Sequence, residues 1–199
     1  MLIHPERSTL LIIDVQARLQ PAINHGDAVV ENCRWLLAVA QKIGIPAICT
    51  EQYPRGLGAT LPVLRTMLPD SAMVEKIHFS ALGECMGSCA GELAKGGQAI
   101  DDNTCLFGAP GGERRQFVVV GTEAHVCVQQ TVLDLLAAGR QVFVVEEAVG
   151  SRRASDKDLA LARMRAHGAD IVSREMVAFE WLQRAGTELF REVSREFIK

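Results

Sequence analysis

The sequence is poor in aromatic residues, with one tyrosine and two tryptophans among 199 residues. It also has no surplus of basic charge: 21 lysines and arginines stand against 24 acidic residues, a formal net charge of −3. Proteins that neutralise a phosphate backbone carry a basic stripe, so nucleic acid is not an expected partner. Long apolar runs are missing as well. Thr9–Ile13 and Phe117–Val120 are the most concentrated, far short of the roughly 20 residues that span a bilayer, so no membrane partner is expected. The N-terminus, MLIHPERSTLLIID, lacks a basic segment followed by an apolar one and a cleavage site. That pattern points to an intracellular, cytoplasmic protein. Disorder is excluded, because it requires low hydrophobicity and high net charge, whereas 48% of the residues are hydrophobic.

Six cysteines lie at positions 33, 49, 85, 89, 105 and 127. A chain of this length buries roughly 70% of its unfolded surface and needs no covalent staple. Reduced thiols are therefore expected, with at least one available as a nucleophile.

Apolar runs alternate with amphipathic segments. Strands are expected at Ser8–Asp14, Ile45–Thr50, Ala72–Glu75, Gln116–Gly121, Gln141–Val145 and Asp170–Val172. Helices are expected at Asp27–Ile43, closed by Gly44, and at Ala124–Ala138, closed by Gly139. Two more are expected at Ser155–His167 and Thr187–Ile198. Strand–helix alternation with β-branched runs implies an α/β fold: a three-layer αβα domain around a mostly parallel, doubly wound sheet of about six strands. Residues 1–199 read as a single domain. The rhythm breaks between about Leu82 and Arg115, a Gly- and Cys-rich insertion with a helix near Gly83–Lys95 and a long loop.

Ligands bind doubly wound sheets beyond the carboxyl ends of the strands. Asp14 ends the first expected strand, Lys76 follows the third, and Cys127 follows the strongest one. A thiol near a helix N-terminus and beside an ammonium is acidified, and a neighbouring carboxylate takes its proton. Each residue alone has an ordinary reading: a buried apolar thiol, a turn-capping aspartate, a solvated lysine. His125, two residues before Cys127, does not face it on a helix, so an Asp–Lys–Cys arrangement is favoured over a Cys–His one.

Local motifs bear on the choice. IIDVQ (Ile12–Gln16), EKIHFSAL (Glu75–Leu82), GTEAHVCVQQTVLDLLAAG (Gly121–Gly139) and VVEEAVGSR with DLALARM (Val144–Met164) together resemble the isochorismatase-like cysteine hydrolases. That group includes nicotinamidases and N-carbamoylsarcosine amidase. TEQYPRGLG (Thr50–Gly58) resembles the branch of isochorismatase domain-containing proteins. The resemblance implies a catalytic triad of Asp14, Lys76 and Cys127. It also implies a cis peptide at Thr122–Glu123, which turns the backbone N–H of Glu123 to form an oxyanion hole with that of Cys127. A small-molecule pocket lined by Gln16, Leu19, Tyr53, Phe79 and His125 follows from the same mapping.

Nicotinamidases carry an Asp-x-His metal motif after the second strand, where this sequence has Glu51, Gln52 and Tyr53. Neither a metal nor another cofactor is therefore expected, and a zinc held by Cys85, Cys89 and Cys105 would lack a fourth cysteine at suitable spacing. True isochorismatases cleave a vinyl ether and lack the cysteine, so the expected reaction is hydrolysis of a small amide through a thioester. The alternative is a binding or scaffold protein that retains the fold. Apolar C-terminal residues Trp181, Leu182, Phe190 and Phe197, together with the family's habit, suggest a homo-oligomer.

Overall fold

The computed structural model describes residues 1–83 and 114–198. Six strands form one sheet: β1 (Ser8–Ile13), β2 (Ala47–Gln52), β3 (Met73–Lys76), β4 (Gln116–Thr122), β5 (Gln141–Gly150) and β6 (Asp170–Val172). Their order is β3-β2-β1-β4-β5-β6, and each neighbouring pair is parallel. The chain thus winds outward from β1 in one direction, then returns to β4 and winds in the other. The carboxyl ends of β1 and β4 meet where the direction reverses, the crevice that doubly wound sheets use for ligands.

The alternation of side chains along the central strands divides the interior. Leu10 and Ile12 of β1, Val118 and Val120 of β4, and Phe143 and Val145 of β5 enter one apolar cluster. Leu11 and Ile13, Phe117 and Val119, and Val142 and Val144 enter the other. Strands buried on both faces read as continuous apolar runs for this reason. On the first face lie α1 (Gly26–Ile43), α6 (Arg174–Leu182) and α7 (Glu188–Phe197). On the second lie α4 (Gln129–Ala137) and α5 (Ala154–Ala166). Two single-turn helices, α2 (Pro54–Leu57) and α3 (Pro62–Arg65), follow β2. No described helix is long and apolar enough to cross a membrane.

Three differences from the sequence reading have physical causes. β5 continues past Val145 to Gly150, because a register shift between Val119 and Gly121 lets it keep pairing with β4 after the Glu146–Glu147 interruption. α6 escaped notice although Val177, Ala178, Trp181 and Leu182 recur at helical spacing. Ser173 caps it, its Oγ accepting from the Met176 N–H at 3.2 Å. The apolar C-terminal residues do not form an exposed patch. Trp181 and Leu182 are buried, Phe197 meets Trp35 edge-on at 6.2 Å between centroids, and Phe190 packs on Phe179. The expected helix near Gly83–Lys95, the loop after it, and Cys85, Cys89 and Cys105 lie outside the described residues.

Gly121 makes the closeness of β1 and β4 possible. Its φ is +133°, and a Cβ there would overlap the backbone of Ile13. Replacing Gly121 with Ala is expected to destabilise the fold by about 3 kcal/mol or more, through both strain and overpacking. Urea denaturation should show a lowered midpoint with little change in slope.

Candidate active site

Asp14, Lys76 and Cys127 converge at the carboxyl end of the sheet. Asp14 follows β1 with φ at +51° and is fully buried. Its Oδ1 accepts from the Thr50 hydroxyl at 2.7 Å, and its Oδ2 accepts from Lys76 Nζ at 2.7 Å. The ammonium also donates to Gln52 Oε1 at 2.7 Å and to the carbonyls of Phe79 and His78 at 3.1 and 3.3 Å. Neither charged side chain of the pair has accessible surface. Isolated buried charges are strongly unfavourable, and this pair persists because the charges neutralise each other and the remaining donors find acceptors.

Cys127 sits in a π-helical turn, Ala124–Val128, between β4 and α4. Such single π turns concentrate at functional sites. Its thiol lies within hydrogen-bonding reach of the Asp14 carboxylate. Burial pushes the thiol up to about 12, with the Asp14 charge adding to the rise and the Lys76 ammonium opposing it. The acidified thiol expected from the sequence is therefore not present in this state. Lys76 acts in the expected direction, but desolvation and the neighbouring carboxylate outweigh it. Cys127 rests as a protonated thiol beside the Asp14–Lys76 pair. Cys33 and Cys49 are also raised by burial, Cys49 to about 12, and neither has accessible surface.

The remaining expected residues divide. Thr122 donates through Oγ1 to the Asp14 carbonyl at 2.6 Å, tying β4 to the end of β1. The Thr122–Glu123 peptide is not cis, since no cis peptide bond occurs among the described residues. The chain instead turns at Glu123 itself, which adopts a left-handed conformation at φ +56°. Gln16 does not face a ligand. Its amide nitrogen donates to the carbonyls of Gly58 at 2.6 Å and Gln52 at 3.1 Å, and its oxygen accepts from the Gln52 N–H at 2.8 Å. It is a buried clip that holds the end of β2. Leu19 is half-buried, while Tyr53 and Phe79 are about half exposed around the Lys76 end of the site. His125 pairs with Ser151 Oγ at 3.0 Å through Nδ1 rather than with Cys127.

Several neighbours were missed. Thr50 lies opposite Ile13, and Gln52 lies opposite Lys76, in the strand registers. Polar residues at the ends of otherwise apolar strands were the available signal. Arg152, after β5, places Nε 3.0 Å from Glu123 Oε1. Nothing in the sequence pairs those two residues.

The residues at the nicotinamidase metal position do not suit a metal. Glu51 Oε1 accepts from the Thr60 N–H at 2.6 Å. The Gln52 amide is engaged by Lys76 and the Ile77 carbonyl, and Tyr53 points outward. No cluster of His, Cys, Asp or Glu among the described residues could hold a metal ion.

Comparison with known proteins gives a consistent class. The isochorismatase domain model matches residues 111–176. The isochorismatase domain-containing protein 2 of Xenopus laevis is 34% identical over 191 residues, covering 96% of this chain and 83% of that protein. The MAR1 ribonuclease structure from Caenorhabditis elegans shares 30% identity at a TM-score of 0.82, covering 100% of this chain and 93% of that one. The YcaC gene product of Escherichia coli, described as an octameric hydrolase of unknown specificity, shares the fold at 22% identity and a TM-score of 0.75, with 92% and 83% covered. The fold is the six-stranded, all-parallel isochorismatase-like one. The chain belongs to the isochorismatase family of hydrolases.

The electrostatics of the thiol set an expectation for Asp14→Asn. Removing the carboxylate removes a nearby negative charge that raises the thiol, so the Cys127 pKa falls. Thiolate is scarce below a pKa of about 12, so each unit of decrease gives roughly tenfold faster alkylation at pH 8. Iodoacetamide labelling followed by peptide mapping at Cys127 should show faster reaction in the variant.

Proposed function

We propose that this protein hydrolyses a small amide through a Cys127 thioester, with Asp14 as the base and acid and Lys76 as the electrostatic partner. The observation that carries the reading is a buried thiol beside a carboxylate that is itself held by a fully buried ammonium. A structural cysteine needs no such arrangement. As Cys127 sulfur attacks the carbonyl carbon, its proton passes to Asp14 and the carbonyl oxygen gains the negative charge. The backbone N–H of Cys127 is the donor assigned to that oxyanion; with Thr122–Glu123 trans, the orientation expected for the Glu123 N–H is lost. The C–N bond then breaks, and the amine leaves with the proton from Asp14. Water attacks the thioester and gives its proton to Asp14. The carbon–sulfur bond breaks, the acid leaves, and the thiol recovers its proton.

The high thiol pKa suits this sequence, because the proton is transferred only during attack and no standing thiolate is needed. One observation favours the rival reading of a binding protein that keeps the fold. Cys127 is only 4% exposed, and buried, protonated cysteines are commonly inert. Assay of ammonia release from a panel of small primary amides separates the two. Wild type should turn over at least one amide, and Cys127→Ser should lower kcat by about a thousandfold or more. Equal rates in the two proteins would remove Cys127 from the chemistry.

We also infer self-association into a homo-oligomer. Its support is now the octameric structural relative rather than the C-terminal aromatic residues. Light scattering at micromolar concentration should give a mass of several chains, and the mass of one chain would contradict the inference.

A further inference from the structure

The site has a second polar wall, on the β4–β5 side of Cys127, that the mechanism above leaves unused. It is built from Glu123, His125, Ser151, Arg152 and Asp156. Glu123 is 8% exposed, so its carboxylate is almost fully removed from water. Oε1 meets Arg152 Nε at 3.0 Å. Oε2 accepts no hydrogen bond from the described residues. The nearest ring nitrogen, His125 Nδ1, stands 3.5 Å away and is engaged by Ser151 Oγ at 3.0 Å. A buried carboxylate oxygen without a donor is costly, and a water, an ion or a bound ligand can supply the missing partner.

Glu123 is the residue that opens the π-helical turn carrying Cys127, four positions before it, and its charge bears on the thiol. The cation now nearest to it is poorly fixed. The Arg152 side chain is 57% exposed, and among the described residues its other close partner is His125 Nε2 at 3.5 Å. A half-solvated guanidinium on a nearly dry carboxylate is an exchangeable partner, because exposed ion pairs contribute little.

We propose that Glu123 selects the substrate, its carboxylate taking a positively charged, N–H-bearing nitrogen placed close to the scissile amide, with Arg152 as the group that nitrogen displaces. This proposal rests on the hydrolase reading for the identity of the reaction, but the recognition role is separable from it. The preferred substrates are small amides that carry an ammonium group, and amides that carry a carboxylate are rejected.

Charged methanethiosulfonates test the recognition without requiring hydrolysis. The Cys127 thiolate attacks the sulfenyl sulfur, a disulfide forms, and methanesulfinate leaves. Three reagents are used: 2-aminoethyl, 2-(trimethylammonio)ethyl and 2-sulfonatoethyl methanethiosulfonate. Rates at Cys127 are read by peptide mapping and divided by the rates with a free small thiol. Changes in the Cys127 pKa affect all three reagents equally and cancel in the ratios. Wild type should favour the aminoethyl reagent over both others. Glu123→Gln should lower the aminoethyl-to-sulfonatoethyl ratio by about tenfold, the scale of one charge-assisted hydrogen bond. Arg152→Gln, at an exposed position where the fold is not at stake, should raise it. An unchanged ratio in either variant overturns the proposal, as does equal preference for the two cations in wild type. Intact reagent selectivity without amide turnover would sink the hydrolase reading and leave the recognition role standing. Amide turnover with flat selectivity would do the reverse.

Discussion

The buried ion pair of Lys76 and Asp14 is the constraint on which the site depends. Removing one partner of such a pair leaves an uncompensated charge, at a cost of about 3–5 kcal/mol, so each residue demands the other. Yet β2 lies between the strands that carry them. Strands sit about 4.8 Å apart, so the gap is on the order of 10 Å. Only a long side chain crosses it, and in crossing it passes over the end of β2. Thr50 and Gln52, which terminate that strand, consequently become the hydrogen-bonding partners of Asp14 and Lys76. Gln16 in turn grips the backbone of Gln52 on both sides. Ordering the charge pair therefore orders the carboxyl ends of three strands together.

The same pair explains the state of the Cys127 thiol. An ammonium alone would acidify Cys127, and a carboxylate alone would make it more basic. Here the ammonium is largely neutralised by the Asp14 carboxylate, whose charge opposes it at the thiol. What remains is desolvation, which favours the neutral form. The result is a protonated thiol rather than a stored negative charge. Such a thiol is protected from casual oxidation and alkylation, which act on thiolate.

The backbone at the site is held in sparsely populated conformations. Asp14, Tyr53 and Glu123 all have positive φ, and each directly follows a strand of the sheet. A non-glycine residue in the left-handed region costs about 1–2 kcal/mol. Their shared location has a common consequence: each turns the chain sharply at the carboxyl end of the sheet, where Asp14, Lys76 and Cys127 meet. For Asp14 the turn is secured by Thr122 bonding its carbonyl and Thr50 bonding its carboxylate. For Glu123 it opens the π-helical turn that carries Cys127.

The alternation of apolar strands and amphipathic helices determined the layers and the parallel sheet, because two-sided burial leaves its mark directly in composition. The motifs around Asp14, Lys76 and Cys127 picked out the three residues that meet, since strand ends in a doubly wound sheet converge by topology. Local signals misled where the outcome depended on the sum of surroundings. Trp181 and Phe197 read as an exposed patch until α1 covered them. Gln16 read as a pocket residue until the end of β2 took its amide. Only the tertiary structure decided the protonation state of Cys127, because desolvation and two opposing charges arrive from segments far apart in the chain. It alone joined Glu123 to Arg152 across the ends of β4 and β5. Periodicity records which face of an element is buried, whereas the balance of charges at a point is set by distances that exist only after folding.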